Sequence, residues 1–213
     1  MLALDHLVIS VKDAEKANEY ARKHLSIKAI KGGNHEQWGT YNYLAYFSNT
    51  SYIEWLAIHD EDKARTQDNP LIQHLLHIQQ QKSEPTTFQF ALSTNQLDSY
   101  VEHFKQEQIP FKGPFNGHRV KPDGTELRWR MLFPNYDFKT EMLPFLIEWE
   151  TPNKMPGLDN SQIISKIYYG GTSKEKFSHI YKLKNRKIHK NMLRLQNTKL
   201  YFTDQTLLSY ELS

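Results

Sequence analysis

The sequence predicts an α+β fold: two strand–helix–strands modules, βαβββ in order, followed by a shortened third module at the C-terminus. Three observations carry this. The order strand, amphipathic helix, strands occurs twice along the chain. The tripeptide Ile-Glu-Trp recurs at positions 53–55 and 147–149, so that Glu54 and Glu148 stand 94 residues apart in matching apolar runs. The strands also carry two chemically different faces, one apolar and one rich in ionisable groups.

Residues 4–11, LDHLVISV, alternate, with Leu7, Ile9 and Val11 on one face and His6, Val8 and Ser10 on the other. DAEKANEYARKHL follows at helical spacing, with Asp13 as its N-cap. KGGNHEQWGT reads as a glycine-rich turn, after which YNYLAYF and SYIEWLAI are strands joined by SNT. NPLIQHLLHIQQQ is a linking helix that places Pro70 at its first position. The order then repeats. TTFQFALS alternates, NQLDSYVEHFKQEQ forms a helix capped by Asn95, and a loop holding Gly113, Pro114, Gly117, Pro122 and Gly124 leads into ELRWRMLF and FLIEW. Beyond Gly157, SQIISKIYY, TSKEKFSHIYKL and KNMLRLQNTKLYF read as a strand, a helix and one or two strands. The expected divisions are 1–66 for the first module, 67–84 for the linking helix, 85–153 for the second module and 154–213 for the partial third.

Parity sorts the side chains. Leu7/Ile9/Val11, Ile53/Trp55/Ala57, Phe88/Phe90/Leu92, Leu127/Trp129/Met131/Phe133 and Ile147/Trp149 form the apolar faces, expected to pack beneath the helices. The opposite faces carry His6 and Ser10, Tyr52 and Glu54, Thr87 and Gln89, Arg128 and Arg130, then Glu148 and Glu150. In a curved sheet that set converges on a polar cavity. In a flat one it is a solvated face with two cross-strand Arg–Glu pairs, and parity alone leaves both open.

Composition narrows the function. A net charge of +3, from 27 basic and 24 acidic residues, gives no footprint for nucleic acid. The chain has no cysteine, which excludes disulfides and thiolate chemistry. No apolar run approaches the roughly 20 residues that span a bilayer, and MLALDHLVIS lacks a basic leader, so a cytoplasmic monomer or homodimer without a membrane partner is expected.

Together LDHLVISV, GGNHEQWGTYN, YIEWLAI, PDGTELRWRMLF and PFLIEW resemble the glyoxalase-like domain family of bacterial proteins, within the vicinal-oxygen-chelate superfamily of glyoxalases, bleomycin-resistance-type proteins and extradiol dioxygenases. These motifs span residues 4–149, about two thirds of the chain. The resemblance implies a cup of eight strands with metal ligands from the first and fourth strands of each module. Carried over position by position, it makes His6, Glu54 and Glu148 the ligand set. The fourth position falls on Thr87, which departs from the pattern, since an Fe(II) dioxygenase centre would need a second histidine there. One histidine with two glutamates still suits Mn, Ni, Zn or Fe.

What this implies is a lyase, isomerase or dioxygenase acting on a small, oxygen-rich substrate. The divalent ion would chelate two neighbouring oxygens, and Glu148 or His35 would move the proton. Trp38, Asn42, Tyr52, Thr87, Arg128 and Arg130 are the expected substrate contacts, the two arginines suiting an anionic group. The competing reading is a metal-free small-molecule binding or resistance protein built on the same cup. His59, His74, His77, His103 and His118 have no comparable partners and read as surface or helix residues.

Overall fold

The computed structural model describes residues 2–120, 124–151, 160–183, 191–205 and 208–213. Pro122, the boundary near Gly157 and part of the basic stretch at 184–190 lie outside them. Module one runs β1 (Ala3–Ser10), α1 (Ala14–His24), β2 (Ile30–His35), β3 (Thr40–Tyr46) and β4 (Tyr52–Ile58). Helices α2 (Glu61–Arg65) and α3 (Pro70–Gln81) lead to β5 (Thr86–Ser93), α4 (Leu97–Gln106), β6 (Phe111–Val120), β7 (Glu126–Pro134) and β8 (Phe145–Trp149). These strands form one curled eight-stranded sheet in the order β2-β3-β4-β1-β5-β8-β7-β6. In each module the first and last strands pair parallel, and the two modules join through the central antiparallel β1–β5 seam.

The tail is a shortened copy. β9 (Ile164–Tyr169), α5 (Lys174–Ile180), β10 (Met192–Arg194) and β11 (Lys199–Phe202) repeat strand, helix, strand, strand, with β11 parallel to β9, and β12 (Leu208–Leu212) closes the other edge. This small sheet covers the convex side of the large one. Tyr169, Phe177, Ile180 and Tyr181 join Leu7, Ile9, Ile53, Trp55, Phe90 and Leu146 in one core. Tyr100 and Tyr181 hydroxyls donate to the carbonyls of Tyr181 (3.0 Å) and Pro144 (2.5 Å), so their polar ends are satisfied inside that core. No described helix is long and apolar enough to cross a membrane.

Several helix signals act as read. Asp13 accepts from the backbone N–H groups of Glu15 and Lys16, and Pro70 opens α3 behind an Asn69 cap. The cap of α4 is Gln96 rather than Asn95, and its side chain makes no capping bond. Two edge strands were hidden. The expected turn at Gly32-Gly33 belongs to β2, and the expected loop through Gly113, Pro114 and Gly117 belongs to β6. Glycine and proline disguise both, as they do at edges and bulges. At Gly32 a register slip meets Asn42: a Cβ there would lie 2.1 Å from the Asn42 Oδ1.

The largest correction concerns faces. In module one the apolar sets lie beneath the helices as expected, and His6, Tyr52 and Glu54 look the other way. In β7 and β8 of module two the sides are exchanged, while Phe90 and Leu92 of β5 stay in the expected core. Leu127, Trp129, Met131, Phe133, Phe145 and Ile147 pack on the cup side, with Val8 and Leu56 and under Leu71 and Leu75 of α3. Phe88 leaves its expected set because β5 carries one extra residue opposite Val8–Ile9, which turns it to the cup. Arg128, Arg130 and Glu148 therefore stand outside the cup. Glu148 accepts from the backbone N–H of Leu97 (3.1 Å) and from Arg130, while Arg130 grips Asp98 with both terminal nitrogens (2.9 and 3.2 Å). Glu148 thus caps α4 from a neighbouring strand, in place of the idle Gln96 side chain.

Two consequences can be measured. Glu148→Ala should lose about 1 kcal/mol of stability in urea unfolding, the usual cost of an N-cap, and unchanged stability would contradict the capping role. The second concerns His74, which is 4% exposed on α3 and pushed down to about 4 from the ordinary 6.5 by burial, with His77 adding to it. A depressed histidine contributes stability that is complete above about pH 6.5 and is lost as pH falls towards 4, because only the unfolded chain takes up the proton. Between pH 7 and 5 the wild type should lose about 2 kcal/mol that His74→Gln does not. Parallel pH profiles for the two proteins would refute it.

Candidate active site

Strand β1 supplies two adjacent residues to the cup, which a regular strand cannot do. Leu4 pairs with Leu92 but His6 pairs with Ala91, so Asp5 and His6 together oppose one residue of β5. This bulge shifts the alternation: Leu2 and Leu4 face the convex core before it, Leu7 and Ile9 after it, and Asp5 and His6 act together inside the cup. Asp5 Oδ1 lies 2.7 Å from His6 Nδ1, and Asp5 Oδ2 accepts from Trp149 Nε1 at 2.9 Å. With Asp5 receiving the Nδ1 proton, His6 turns Nε2 towards Glu54 Oε2, 3.5 Å away. The imidazole is clamped against the Tyr52 ring (centroids 4.5 Å apart, planes at 20°) and edge-on to Phe145 (5.5 Å).

Glu54 is 7% exposed and held on its other oxygen by the Asn42 amide, which donates to Oε1. Asn42 is oriented in turn, since its Oδ1 accepts from the Gly33 N–H at 2.9 Å. The paired glycines thus set an amide that sets a carboxylate. One carboxylate oxygen is committed and the other faces His6.

His35 stands at the mouth, with Nδ1 3.1 Å from Thr40 Oγ1 and its ring edge-on to Trp38 at 5.5 Å. Enclosure by its neighbours lowers its proton affinity; Glu54 opposes this and Arg119 adds to it. Burial raises the Tyr52 hydroxyl well above its usual range, with Asp5 and Glu54 reinforcing the effect. The Tyr46 hydroxyl is pushed up to about 12 by burial, against the pull of Arg119, to which it makes no well-formed hydrogen bond.

Arg119 is the residue sequence reasoning missed. It lies on β6 opposite Leu127, so it shares the cup face with Leu127, Trp129 and Met131, and it lines the cavity. Its Cδ reaches across to β2, 3.7 Å from where a Cβ on Gly33 would sit. Among the described residues it forms no salt bridge. Pairing Arg119 with Leu127 would have revealed it, had the stretch been read as a strand.

The cup thus gathers His6, Glu54, Asn42, Tyr52, His35 and Trp38 from the expected set, and leaves out Glu148, Thr87, Arg128 and Arg130. Thr87 lines a different cavity, and Arg128 is exposed and pairs with Glu126 at 2.9 Å. The enclosed space is about 50 Å3, its polar wall from module one and its apolar wall from Trp129, Met131, Phe145, Ile147 and Trp149. That admits a small head group, well short of the roughly 300 Å3 at which whole ligand pockets begin.

The donor set also tests the expected metal. His6 Nε2 and Glu54 Oε2 converge, but the third ligand, Glu148, is on the convex side capping α4, and Asp5 is spent on His6 and Trp149. Among the described residues no three His, Asp or Glu side chains are grouped to hold an ion. The residues present do not fit a divalent centre with three protein ligands.

A hypothetical protein from Staphylococcus aureus shares 21% identity and superimposes with a TM-score of 0.80 over 99% of this chain and 89% of that one. Methylmalonyl-CoA epimerase from Mycobacterium tuberculosis, also 21% identical, covers 68% of this chain and 87% of its own with a TM-score of 0.50. A methylmalonyl-CoA epimerase in complex with methylmalonyl-CoA and NH4+ is 16% identical, covering 71% of this chain and 96% of its own at a TM-score of 0.51. At these identities the likeness is one of fold. No curated protein matches the sequence. The model of the glyoxalase-like domain, however, matches residues 4–183, most of both modules and the start of the third, and the chain belongs to that family.

Proposed function

We propose that the protein is a small-molecule isomerase or lyase that moves a proton on a carbon next to a carbonyl. The observation that carries this is the buried chain Asp5–His6–Glu54–Asn42. Two acceptors, Nε2 and Oε2, face each other 3.5 Å apart, an arrangement relieved when one proton is shared between them. Glu54, aligned by Asn42, serves as the base that takes the C–H proton. His6, held in one orientation by Asp5 and Tyr52, carries the matching proton and returns it to carbon or oxygen. Arg119, with no acidic partner among the described residues, receives the anionic end of the substrate and steadies the developing enolate. The apolar wall keeps water from the reacting carbon. His35 and Trp38 stand at the mouth, where the rest of the substrate leaves the narrow cup.

This reading departs from chelation by His6, Glu54 and Glu148, because Glu148 belongs to the α4 cap. It keeps the superfamily's cup and the small-molecule substrate. The metal-free binding or resistance reading uses the same walls, with Arg119 and the tryptophans gripping a ligand that is not turned over. It is favoured by the same shortage of metal donors, and one experiment separates the two.

Short 2-oxo and 3-oxo carboxylates incubated with the protein in D2O, followed by NMR, should lose their α C–H signal at a rate that EDTA leaves unchanged. His6→Asn and Glu54→Gln should each slow the exchange by about 10²–10⁴-fold, the usual contribution of a positioned acid or base. Arg119→Met should chiefly raise KM, by roughly tenfold or more, as the loss of a charge-assisted pair would. Exchange abolished by EDTA would restore the metal. Tight binding without exchange across the panel would leave a binding protein.

A further inference from the structure

We propose that a second ligand site, separate from the cup, lies between α3, the start of β5 and residues 138–142, and that it takes a small carboxylate with an apolar body. The cavity measures about 420 Å3, within the roughly 300–1,000 Å3 usual for ligand sites, whereas the cup holds about 50 Å3. One part of its lining is Ile78, Phe88, Phe138 and Met142; another is His74, Thr87, Lys82 and Lys139.

Hydrogen-bond accounting shows what His74 offers there. Gln89 Oε1 accepts from the Phe90 N–H (2.8 Å), which fixes the amide, and its Nε2 donates to Tyr136 Oη (2.8 Å) and to the Leu143 carbonyl (3.0 Å). Tyr136 therefore accepts from Gln89, and the acceptor for its own proton is His74 Nδ1, 3.1 Å away. That leaves His74 neutral with its proton on Nε2. This N–H meets no acceptor among the described residues, yet it is not sealed off, because the ring lines the cavity although it is only 4% exposed. Phe138 stacks flat on the imidazole (4.6 Å, 9°) and fixes its plane. A buried, rigid donor without a partner is costly unless something occupies the space before it.

Charge says what that occupant is. Lys82 and Lys139 have no acidic partner among the described residues. The carboxylate in the wall, Glu141, is already spent, accepting from Thr172 Oγ1 (2.7 Å) and paired with Lys176 (2.7 Å). One fixed N–H and two free ammonium groups favour an anion, and the aromatic and aliphatic walls favour an organic one over bare phosphate. The site also abuts the cup through α3, which gives His74 and Ile78 to this cavity and Leu71 and Ile72 to the other.

Benzoate titrated into the 15N-labelled protein should shift the His74 Nε2–H resonance saturably, and calorimetry should give one site. The double variant Lys82→Gln/Lys139→Gln should weaken binding by about tenfold or more, while His6→Asn leaves it unchanged, and benzyl alcohol should not compete. No saturable shift at millimolar benzoate, or equal affinity in the double variant, would overturn the site. Loss of binding in His6→Asn would place the benzoate in the cup instead. Inorganic phosphate binding as tightly as benzoate would overturn the ligand class.

Discussion

The site depends on one extra residue in β1. A strand sends consecutive side chains to opposite faces, so Asp5 and His6 can share a cavity only where the ladder with β5 slips. Without that slip Asp5 could not hold Nδ1 while Nε2 looks at Glu54, and the Trp149 indole would lose its acceptor on the far wall. β1 is the central strand of the large sheet, buried on both sides and paired with β4 and β5, so the bulge sits where the backbone has least freedom to relax. Two further slips serve the same end. The one at Gly32 seats Asn42 against Glu54, and the one in β5 turns Phe88 beneath α3.

The modules differ in what they show the cup. The first contributes the ionisable wall, the second an apolar wall with Arg119 at its rim. The acidic strand residue of the second module is structural: Glu148 satisfies the open end of α4 and anchors Arg130. The repeated Ile-Glu-Trp therefore hides two different jobs. Its first glutamate is held by Asn42 beside His6; its tryptophan at Trp149, rather than its second glutamate, reaches into the site.

Much of this was legible in the residues. The order of elements, the truncated third module, the Asp13 cap and the Pro70 start follow from periodicity and caps, while the convergence of His6 with Glu54 follows from the family resemblance, since parity alone left it open. What alternation cannot tell is which face is the inner one when both sides of a sheet are covered. Here the third module covers the convex side and α3 the concave, so both faces demand apolar groups and β7 and β8 read inverted. Edge strands β2 and β6 were lost to glycine and proline, and Arg119 went with β6. The clue to Asp5 was present: Leu2 and Leu4 fall out of phase with Leu7, Ile9 and Val11, a one-residue slip visible in the sequence.

The most direct measurement is the tautomer of His6, read from the ring nitrogens of 15N-histidine-labelled protein against a His6→Gln control for assignment. The structure predicts a proton held on Nδ1, where Asp5 accepts it, with Nε2 turned towards Glu54. A neutral ring protonated on Nε2, with Nδ1 bare beside Asp5, would contradict the bulge geometry and with it the proton-transfer role of the cup.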